Sequence, residues 1–135
     1  MPPAYSIGVR DTSVLIVDDD LSVRRALQRL IRSAGFSAKT FASGQEFLDS
    51  NPQTTSGCVV LDIHLGDMSG AEVQESLAAR GVKIPIIVIT AHDDAMTRAR
   101  VESLGVVAYL RKPFNDGVLL DAIRDAMQRG ACEGP

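Results

Sequence analysis

The sequence has no long hydrophobic run, no tryptophan and no marked excess of one charge. None of its apolar stretches approaches the roughly 20 residues of a membrane-spanning helix, so we expect no membrane segment. Lys and Arg number 14 against 17 for Asp and Glu, and this balance provides no general attraction for nucleic acid. The first residues, Met1 to Tyr5, lack the charged and then apolar pattern of a signal peptide.

Cysteine is also scarce. Cys58 begins an apolar run that is typical of a buried strand, whereas Cys132 lies close to the end of the sequence. A disulfide between them is not expected, and the cytoplasm is the predicted location. The length of 135 residues fits one domain, and a hydrophobic content of 45% is enough for a single core.

Short β-branched runs alternate with helical patterns five times. Four of the runs end on polar residues: Val14–Val17 before Asp18, Asp19 and Asp20; Cys58–Leu61 before Asp62; Ile86–Ile89 before Thr90; and Val106–Leu110 before Arg111, Lys112 and Pro113. A further, edge strand is predicted over 36–41. Helices are predicted near 22–34, from a capping box at Ser43 to before Pro52, from a capping box at Ser69 to Gly81, near 94–104, and from Asn115 to Gly130.

This alternation predicts an α/β fold, a flavodoxin-like three-layer sandwich around a five-stranded parallel sheet of order 2-1-3-4-5. We expect a domain over 13–130, a loose arm over 1–12 and a tail over 131–135. Ligands of such sheets bind at the carboxyl ends of the strands, where the strand order reverses. Asp18, Asp19 and Asp62 should therefore meet, and repulsion between them should raise at least one carboxyl pKa.

At these residues the chain resembles the receiver domain of two-component response regulators, over about 13–130. The resemblance is carried by Val17–Asp20, by Leu61–Gly70, by Thr90 and by Lys112–Phe114, each at the expected strand end. The stretches 67–70, 84–90 and 111–114 are similar to the FixJ/NarL-like group in particular. Gly66 departs from the family pattern, because a proline is usual there, and the loop is expected to be more mobile.

The resemblance implies that Asp62 accepts a phosphoryl group from a phosphohistidine of a sensor histidine kinase. It implies a Mg²⁺ ion bound by the carboxylates of Asp19 and Asp62 and by the backbone carbonyl of His64, with Asp18 acting through a metal-bound water. Asp20 is expected to be a helix cap. The alternative for Asp18–Asp20 is a solvated turn that caps the first helix.

Lys112 is expected to pair with Asp62 and later with the phosphoryl oxygens. The family has a cis peptide bond between this lysine and the following proline, which is Pro113 here. Thr90 would bind a phosphoryl oxygen, and Tyr109 would then turn inward, so these two residues form the implied switch. The alternatives are that Lys112 is an ordinary surface lysine, that Thr90 is only a β-branched residue at a strand end, and that Tyr109 is a half-buried strand aromatic.

The two histidines of the sequence, His64 and His92, fall at positions that modulate loss of the phosphoryl group in the family. We hypothesise that the phosphoryl lifetime depends on pH between about 6 and 8 through one or both rings. The alternative is two exposed loop histidines without a kinetic role.

The resemblance also implies two partner surfaces. The sensor kinase would dock on the first helix, whose polar side carries Arg24, Arg25, Arg29 and Arg32, and on the loop near Gly66. A homodimer would use the fourth helix, fifth strand and fifth helix, which offer Arg98, Val101, Glu102, Arg111, Asp121 and Arg124. No DNA-binding helix-turn-helix fits after the last helix, so both a stand-alone receiver and a domain of a longer regulator agree with the sequence.

Two other classes of function share parts of this pattern. A magnesium-dependent phosphatase would also use Asp62 as its nucleophile, but such enzymes need a second carboxylate close by, and Ile63 and His64 follow instead. A flavodoxin-like module would bind FMN at the same sheet edge. The acidic residues disfavour a flavin phosphate, and the first strand-helix turn lacks the glycines and hydroxyls that cradle one.

Overall fold

The computed structural model describes residues 13–53 and 57–132. The strands are β1 (Ser13–Val17), β2 (Ser37–Phe41), β3 (Gly57–Asp62), β4 (Ile86–Thr90) and β5 (Ala108–Arg111), all parallel, in the predicted order 2-1-3-4-5. The helices are α1 (Leu21–Ser33), α2 (Gly44–Asp49), α3 (Gly70–Ala79), α4 (Ala95–Ser103) and α5 (Asp116–Cys132). The predicted arm over 1–12 and residues 133–135 of the predicted tail lie outside the described residues.

The sheet separates two hydrophobic clusters. Phe47 of α2, Leu77 of α3 and Val101 of α4 pack on one face, whereas Leu27 of α1 and Ile123 of α5 pack on the other. Val101 is fully buried, so the prediction that it belongs to an exposed dimer surface is wrong. Because successive strand side chains point to opposite faces, a strand covered on both sides must be largely apolar. β1 and β4 are buried over their whole length, and β3 is buried from Cys58 to Asp62. Among the described residues, no helix combines the length and the apolar character needed to cross a membrane.

Side-chain caps fix where the helices begin. The carboxylate of Asp20 accepts hydrogen bonds from the N–H groups of Ser22 and Val23, so Asp20 is the expected cap of α1. Ser69 and Glu72 form the complete capping box predicted for α3. In front of α2 only half of the predicted box forms, because Ser43 accepts from the N–H of Glu46 while the Glu46 carboxylate accepts from Ala42.

Glycine marks the end of three helices, as predicted. Gly35, Gly81 and Gly105 follow α1, α3 and α4 with positive φ angles of 96°, 72° and 92°. The prediction that Gly130 ends the fifth helix is wrong, since α5 continues through it to Cys132. Glycine permits a helix end without requiring one, and an ion pair between Arg129 and Asp125, one turn apart, supports the last turns of α5.

Gly57 brings β1 and β3 together. Its φ is +117°, and a Cβ atom there would overlap the carbonyl oxygen of Ser13 on the neighbouring strand. The two strands then run in register, from Ser13 opposite Gly57 to Val17 opposite Leu61. The next residue after the last registered pair is Asp18 on one chain segment and Asp62 on the other, so both reach the same edge of the sheet.

Candidate functional site

Three aspartates meet at the carboxyl ends of β1 and β3, as the sequence predicts. Asp18 is fully buried and Asp62 is 6% exposed, whereas Asp19 is open to solvent. One carboxylate oxygen from each residue lies within 4.8 Å of the others. Such a group of oxygen ligands fits a hard divalent cation such as Mg²⁺.

Backbone groups orient the two buried carboxylates. Oδ1 of Asp18 accepts a hydrogen bond from the N–H of Asp20 at 2.9 Å, and Oδ1 of Asp62 accepts from the N–H of His64 at 3.1 Å. Nη1 of Arg24 donates to the carbonyl oxygen of Asp18 at 2.8 Å. These contacts leave Oδ2 of each buried aspartate directed to other partners.

The ammonium of Lys112 is the shared partner of Oδ2 of Asp18 and Oδ2 of Asp62. Its Nζ lies 2.9 Å from Oδ2 of Asp18 and 3.6 Å from Oδ2 of Asp62, so the predicted pairing with Asp62 exists but is the longer of two. The Lys112–Pro113 peptide bond is cis, as the resemblance implies. The N–H of Lys112 donates to the Thr90 carbonyl at 2.7 Å, which fixes the end of β5 against β4.

Opposing effects act on the pKa of the Asp62 carboxyl. Burial raises the pKa of the Asp62 carboxyl above its usual value, and the negative charges of Asp18 and Asp19 act in the same direction. The ammonium of Lys112 and the N–H of His64 lower this pKa but do not cancel the effect. The expected rise in a carboxyl pKa is confirmed, although burial contributes more than repulsion.

Thr90 and Tyr109, the predicted switch residues, both contact the loop that follows β4. The hydroxyl of the buried Thr90 donates to the carbonyl of His92 at 2.7 Å and accepts from its N–H at 3.0 Å. The phenol of the half-buried Tyr109 donates to Oδ1 of Asp93 at 3.0 Å, and the Arg98 guanidinium lies 4.6 Å from the ring centre. Both residues are thus engaged by neighbours in the loop between β4 and α4.

The structure brings the two histidines together. The rings of His64, from the loop after β3, and His92, from the loop after β4, lie edge to face with centroids 5.2 Å apart. Both loops follow strands whose ends carry a site residue, so this contact lies beside the acidic cluster. The pH dependence suggested for these rings stays a prediction.

The sequence patterns did not identify Asp67 or Asp93. The carboxylate of Asp67 accepts from the N–H groups of Gly44 and Gln45 at 3.1 and 2.9 Å, so it joins the loop after Asp62 to the start of α2. Both residues lie in loops and gain their partners only through the tertiary fold. The sole signal for Asp93 was its place in an acidic pair, Asp93-Asp94, after the fourth strand.

Comparisons with known proteins agree with this arrangement. A family model described as the response regulator receiver domain matches residues 14–124. The chain is 40% identical over 116 residues to the transcriptional regulatory protein TdiR of Thauera aromatica, a match covering 86% of this chain and 51% of TdiR. It is 36% identical over 118 residues to the transcriptional regulatory protein FixJ of Rhizobium meliloti (strain 1021), covering 87% and 58% of the two chains.

Solved structures show the same likeness. The low-resolution structure of the response regulator StyR superposes with a TM-score of 0.83 at 43% identity, covering 91% of this chain and 62% of StyR. The chain spans about half the length of the curated relatives it matches. Fold, family model and relatives therefore agree, and the chain belongs to the receiver domain family of two-component response regulators, on the FixJ-like side of that family.

Proposed function

We propose that this chain accepts a phosphoryl group on Asp62 and changes conformation in response. The observation that carries the proposal is the convergence of the Asp62 carboxylate with the oxygens of Asp18 and Asp19 and with Nζ of Lys112. An Asp62 oxygen would attack the phosphorus of a phosphohistidine, the P–N bond would break toward the histidine, and an acyl phosphate would form. Lys112 would pair with the added phosphoryl oxygens as a compact positive charge.

The donor set fits Mg²⁺, which favours oxygen ligands and retains several waters. In the proposal the carboxylates of Asp19 and Asp62 and the carbonyl of His64 hold the ion, and Asp18 acts through a bound water. When bound, the ion screens the repulsion between the carboxylate and the incoming phosphoryl group. The chain's own contribution is to hold Asp62 in place through the His64 N–H.

Thr90 and Tyr109 would convert this event into a change of shape. A phosphoryl oxygen on Asp62 offers the Thr90 hydroxyl a charged acceptor, which is a stronger partner than the neutral carbonyl of His92. Moving the hydroxyl releases both backbone groups of His92 and so frees the loop that contacts Tyr109. The inward turn of Tyr109 follows in the proposal.

His64 and His92 are proposed to modulate how long the phosphoryl group stays on Asp62. Their paired rings follow the ends of β3 and β4, where they would limit the approach of water to the acyl phosphate. Replacing both with Ala should therefore speed the loss of the phosphoryl group from Asp62. Equal rates in the variant and the unaltered protein, followed by mass spectrometry, would contradict this role.

The partners belong to the same proposal. Receiver domains receive their signal from sensor kinases, and we assign that docking to α1 and the loop near Gly66. The proposal also includes a homodimer through α4, β5 and α5. Charged side chains on this surface already form ion pairs within the chain, as in Arg98–Glu102 and Arg124–Asp121. Sedimentation with and without phosphorylation tests the dimer, and an unchanged mass would exclude it. A cytoplasmic location and limited self-dephosphorylation are included in the proposal.

The decisive experiment measures intact mass after incubation with acetyl phosphate and Mg²⁺. The unaltered protein should gain one phosphoryl mass, and Asp62→Asn should gain none. Asp121→Asn, which removes an exposed carboxylate on α5, is the matched control and should behave like the unaltered protein. No gain in any protein would reject the proposed function, whereas steady turnover of a phosphate ester would favour a phosphatase and a yellow preparation a flavin-binding module.

A further inference from the structure

Tyr109 is fixed in its half-exposed position by a specific set of contacts. Its phenol donates to Oδ1 of Asp93 at 3.0 Å, and the other oxygen of that carboxylate lies 3.7 Å from Nε of Arg111. The Asp93 side chain is only 20% exposed although it lies in a loop. Asp93 thus bridges two β5 residues, Tyr109 and Arg111, whose side chains are two positions apart and share one face of the strand.

The ring of Tyr109 is held as well as its hydroxyl. The guanidinium of Arg98 on α4 lies 4.6 Å from the ring centre, a cation–π distance, while its Nε pairs with Glu102 at 3.3 Å. Contacts from the loop and from α4 therefore both favour the outward position of the ring. An inward turn must break the contact with Asp93 and the contact with Arg98.

Asp93 directly follows the residue that holds the other switch side chain. Both polar backbone groups of His92 bond the Thr90 hydroxyl, and the next residue bonds the Tyr109 phenol. Thr90 and Tyr109 do not need to contact each other, because His92 binds the Thr90 hydroxyl and the next residue, Asp93, binds the Tyr109 phenol. A single displacement of this short loop would release both.

We propose that Asp93 is the latch of the switch: it holds Tyr109 outward in the unphosphorylated protein and releases it when the loop moves. Asp93 is a positioning residue, since it acts through Tyr109 and does not contact the acidic cluster. The inference rests on the proposed function, and it adds the residue that sets how strongly the resting state is favoured. Removing the latch should shift the equilibrium between the two ring positions toward the inward one.

The ionisation of Tyr109 agrees with a contact to a carboxylate. Burial raises the pKa of the Tyr109 phenol to about 12, and the hydrogen bond to Asp93 and its negative charge contribute in the same direction. The positive charge of Arg98 opposes them, and the charge of Asp94 adds a smaller increase. Loss of Asp93 should therefore bring this pKa closer to the ordinary value of 10.0.

The composition makes the test direct. The chain has no tryptophan and two tyrosines, so Tyr5→Phe leaves Tyr109 as the only phenol. In that background, tyrosine fluorescence at neutral pH reports the surroundings of Tyr109 before and after incubation with acetyl phosphate and Mg²⁺. The variants are Asp93→Ala, Asp93→Asn, which keeps an acceptor without the charge, and Asp94→Asn as the control, because Asn preserves the cap of α4.

The Tyr5→Phe protein is the parent of these variants. We expect unphosphorylated Asp93→Ala to show part of the fluorescence change that phosphorylation causes in this parent, with a smaller change in Asp93→Asn and none in Asp94→Asn. Phosphorylation by acetyl phosphate should be about fivefold faster in Asp93→Ala, since a charged hydrogen bond is removed from the resting state. A pH titration of the phenol should show the largest fall in pKa in Asp93→Ala, a smaller fall in Asp93→Asn and the smallest in Asp94→Asn, because the charge of Asp94 contributes least.

The outcomes separate the latch from the underlying function. A parent protein that gains no phosphoryl mass would reject the proposed function and the latch with it. If the parent is phosphorylated while Asp93→Ala matches it in fluorescence, in phenol titration and in phosphorylation rate, the latch is rejected and the function stands. A lowered phenol pKa without any change in fluorescence response or rate would show a contact that does not control the switch.

Discussion

At the scale of single residues, the site is built at a cost to folding. Asp18 and Asp62 place two negative charges in a buried position, and one ammonium, Lys112, lies between them. Charges removed from water need compensating partners, and this arrangement gives two carboxylates a share of one cation. The imbalance suits a site that acquires further positive charge from a bound metal ion.

Replacing Asp62 should therefore stabilise the metal-free protein. Its carboxyl pKa is raised in the folded state, so the folded protein binds this proton more tightly than the unfolded chain does. The stability from this group is present below the ordinary pKa of Asp and is lost as the pH rises through the raised value. In EDTA at pH 7, Asp62→Asn should raise the melting temperature by a few degrees, measured by circular dichroism.

Two comparisons make this result specific. Asp121→Asn, on the surface of α5, should leave the melting temperature within about one degree, because exposed ion pairs contribute little. The advantage of Asp62→Asn should also shrink as the pH is lowered toward 4, where Asp62 of the unaltered protein is itself protonated in part. A melting temperature below that of the unaltered protein at pH 7 would contradict the proposed cost.

The sequence predicted which residues form the site better than it predicted their contacts. Asp18, Asp62 and Lys112 could be assigned to one edge because strand ends in a parallel sheet coincide. The choice of Asp18 as the nearer partner of Lys112 depends on side-chain torsions that no spacing encodes. Asp93 was missed for the same reason, since its partner Tyr109 lies 16 residues away on another element.

At the scale of secondary-structure elements, α2 depends on a residue outside it. This helix has six residues, too few to be stable by itself. Ser43 caps it locally, and Asp67 adds acceptors for the N–H groups of Gly44 and Gln45. A Cβ atom at Gly44 would lie 2.6 Å from Cγ of Met68, so the loop after Asp62 is closely packed on the start of α2.

Asp67→Ala should loosen that loop and lower the free energy of unfolding by about 1 kcal/mol, as expected for loss of a helix cap. Burial acts to raise the Asp67 pKa, but the N–H groups of Gln45 and Gly44 outweigh it and hold the pKa below its ordinary value. The contribution is therefore present at neutral pH and is lost as the pH falls through that lowered pKa. Urea denaturation at pH 7 and in acid measures both effects.

Asp49→Ala provides the matched control for Asp67→Ala. It removes an exposed carboxylate that lies within α2 itself and whose partner Gln45 is one turn away. Such pairs contribute about 0.2–0.5 kcal/mol, so this variant should lose less stability than Asp67→Ala. Equal losses in the two variants would show that the contact between loop and helix adds nothing.

The same comparison shows what the sequence could indicate about elements. Helix starts were predictable because Ser, Asp and Glu at fixed offsets satisfy free N–H groups, as at Ser69 and Glu72. Helix ends were less certain, because Gly105 and Gly130 look alike in sequence although only Gly105 ends a helix. The cap that Asp67 provides to α2 comes from 22 residues away, beyond any local pattern.

At the scale of the whole molecule, the site joins distant parts of the chain. Its carboxylates lie at the carboxyl ends of β1 and β3, and its ammonium follows β5, so the site is held by three strands of one sheet. The order of the sheet was predictable from five alternating units, whereas the distances that make the site depend on how the two hydrophobic clusters pack. A ligand of this site should therefore stabilise the fold as a unit.

Mg²⁺ is the ligand to test. At a concentration about 100 times its dissociation constant, it should add about 2.7 kcal/mol to the free energy of unfolding. Asp19→Asn should remove most of this gain without lowering stability in EDTA, because Asp19 is exposed and is a proposed ligand. Thermal melts over a Mg²⁺ series measure the effect, and an equal gain in Asp19→Asn and the unaltered protein would exclude the proposed ligand set.

Gly57 has a consequence for genetics. It begins β3, at the opposite end of that strand from Asp62, and any side chain there would meet the Ser13 carbonyl of β1. Substitution must therefore separate the two strands whose far ends carry the acidic cluster. In a screen for signalling-dead alleles, changes at Gly57 should be recovered beside changes at Asp62, and protein abundance in the cell would tell the two kinds of allele apart.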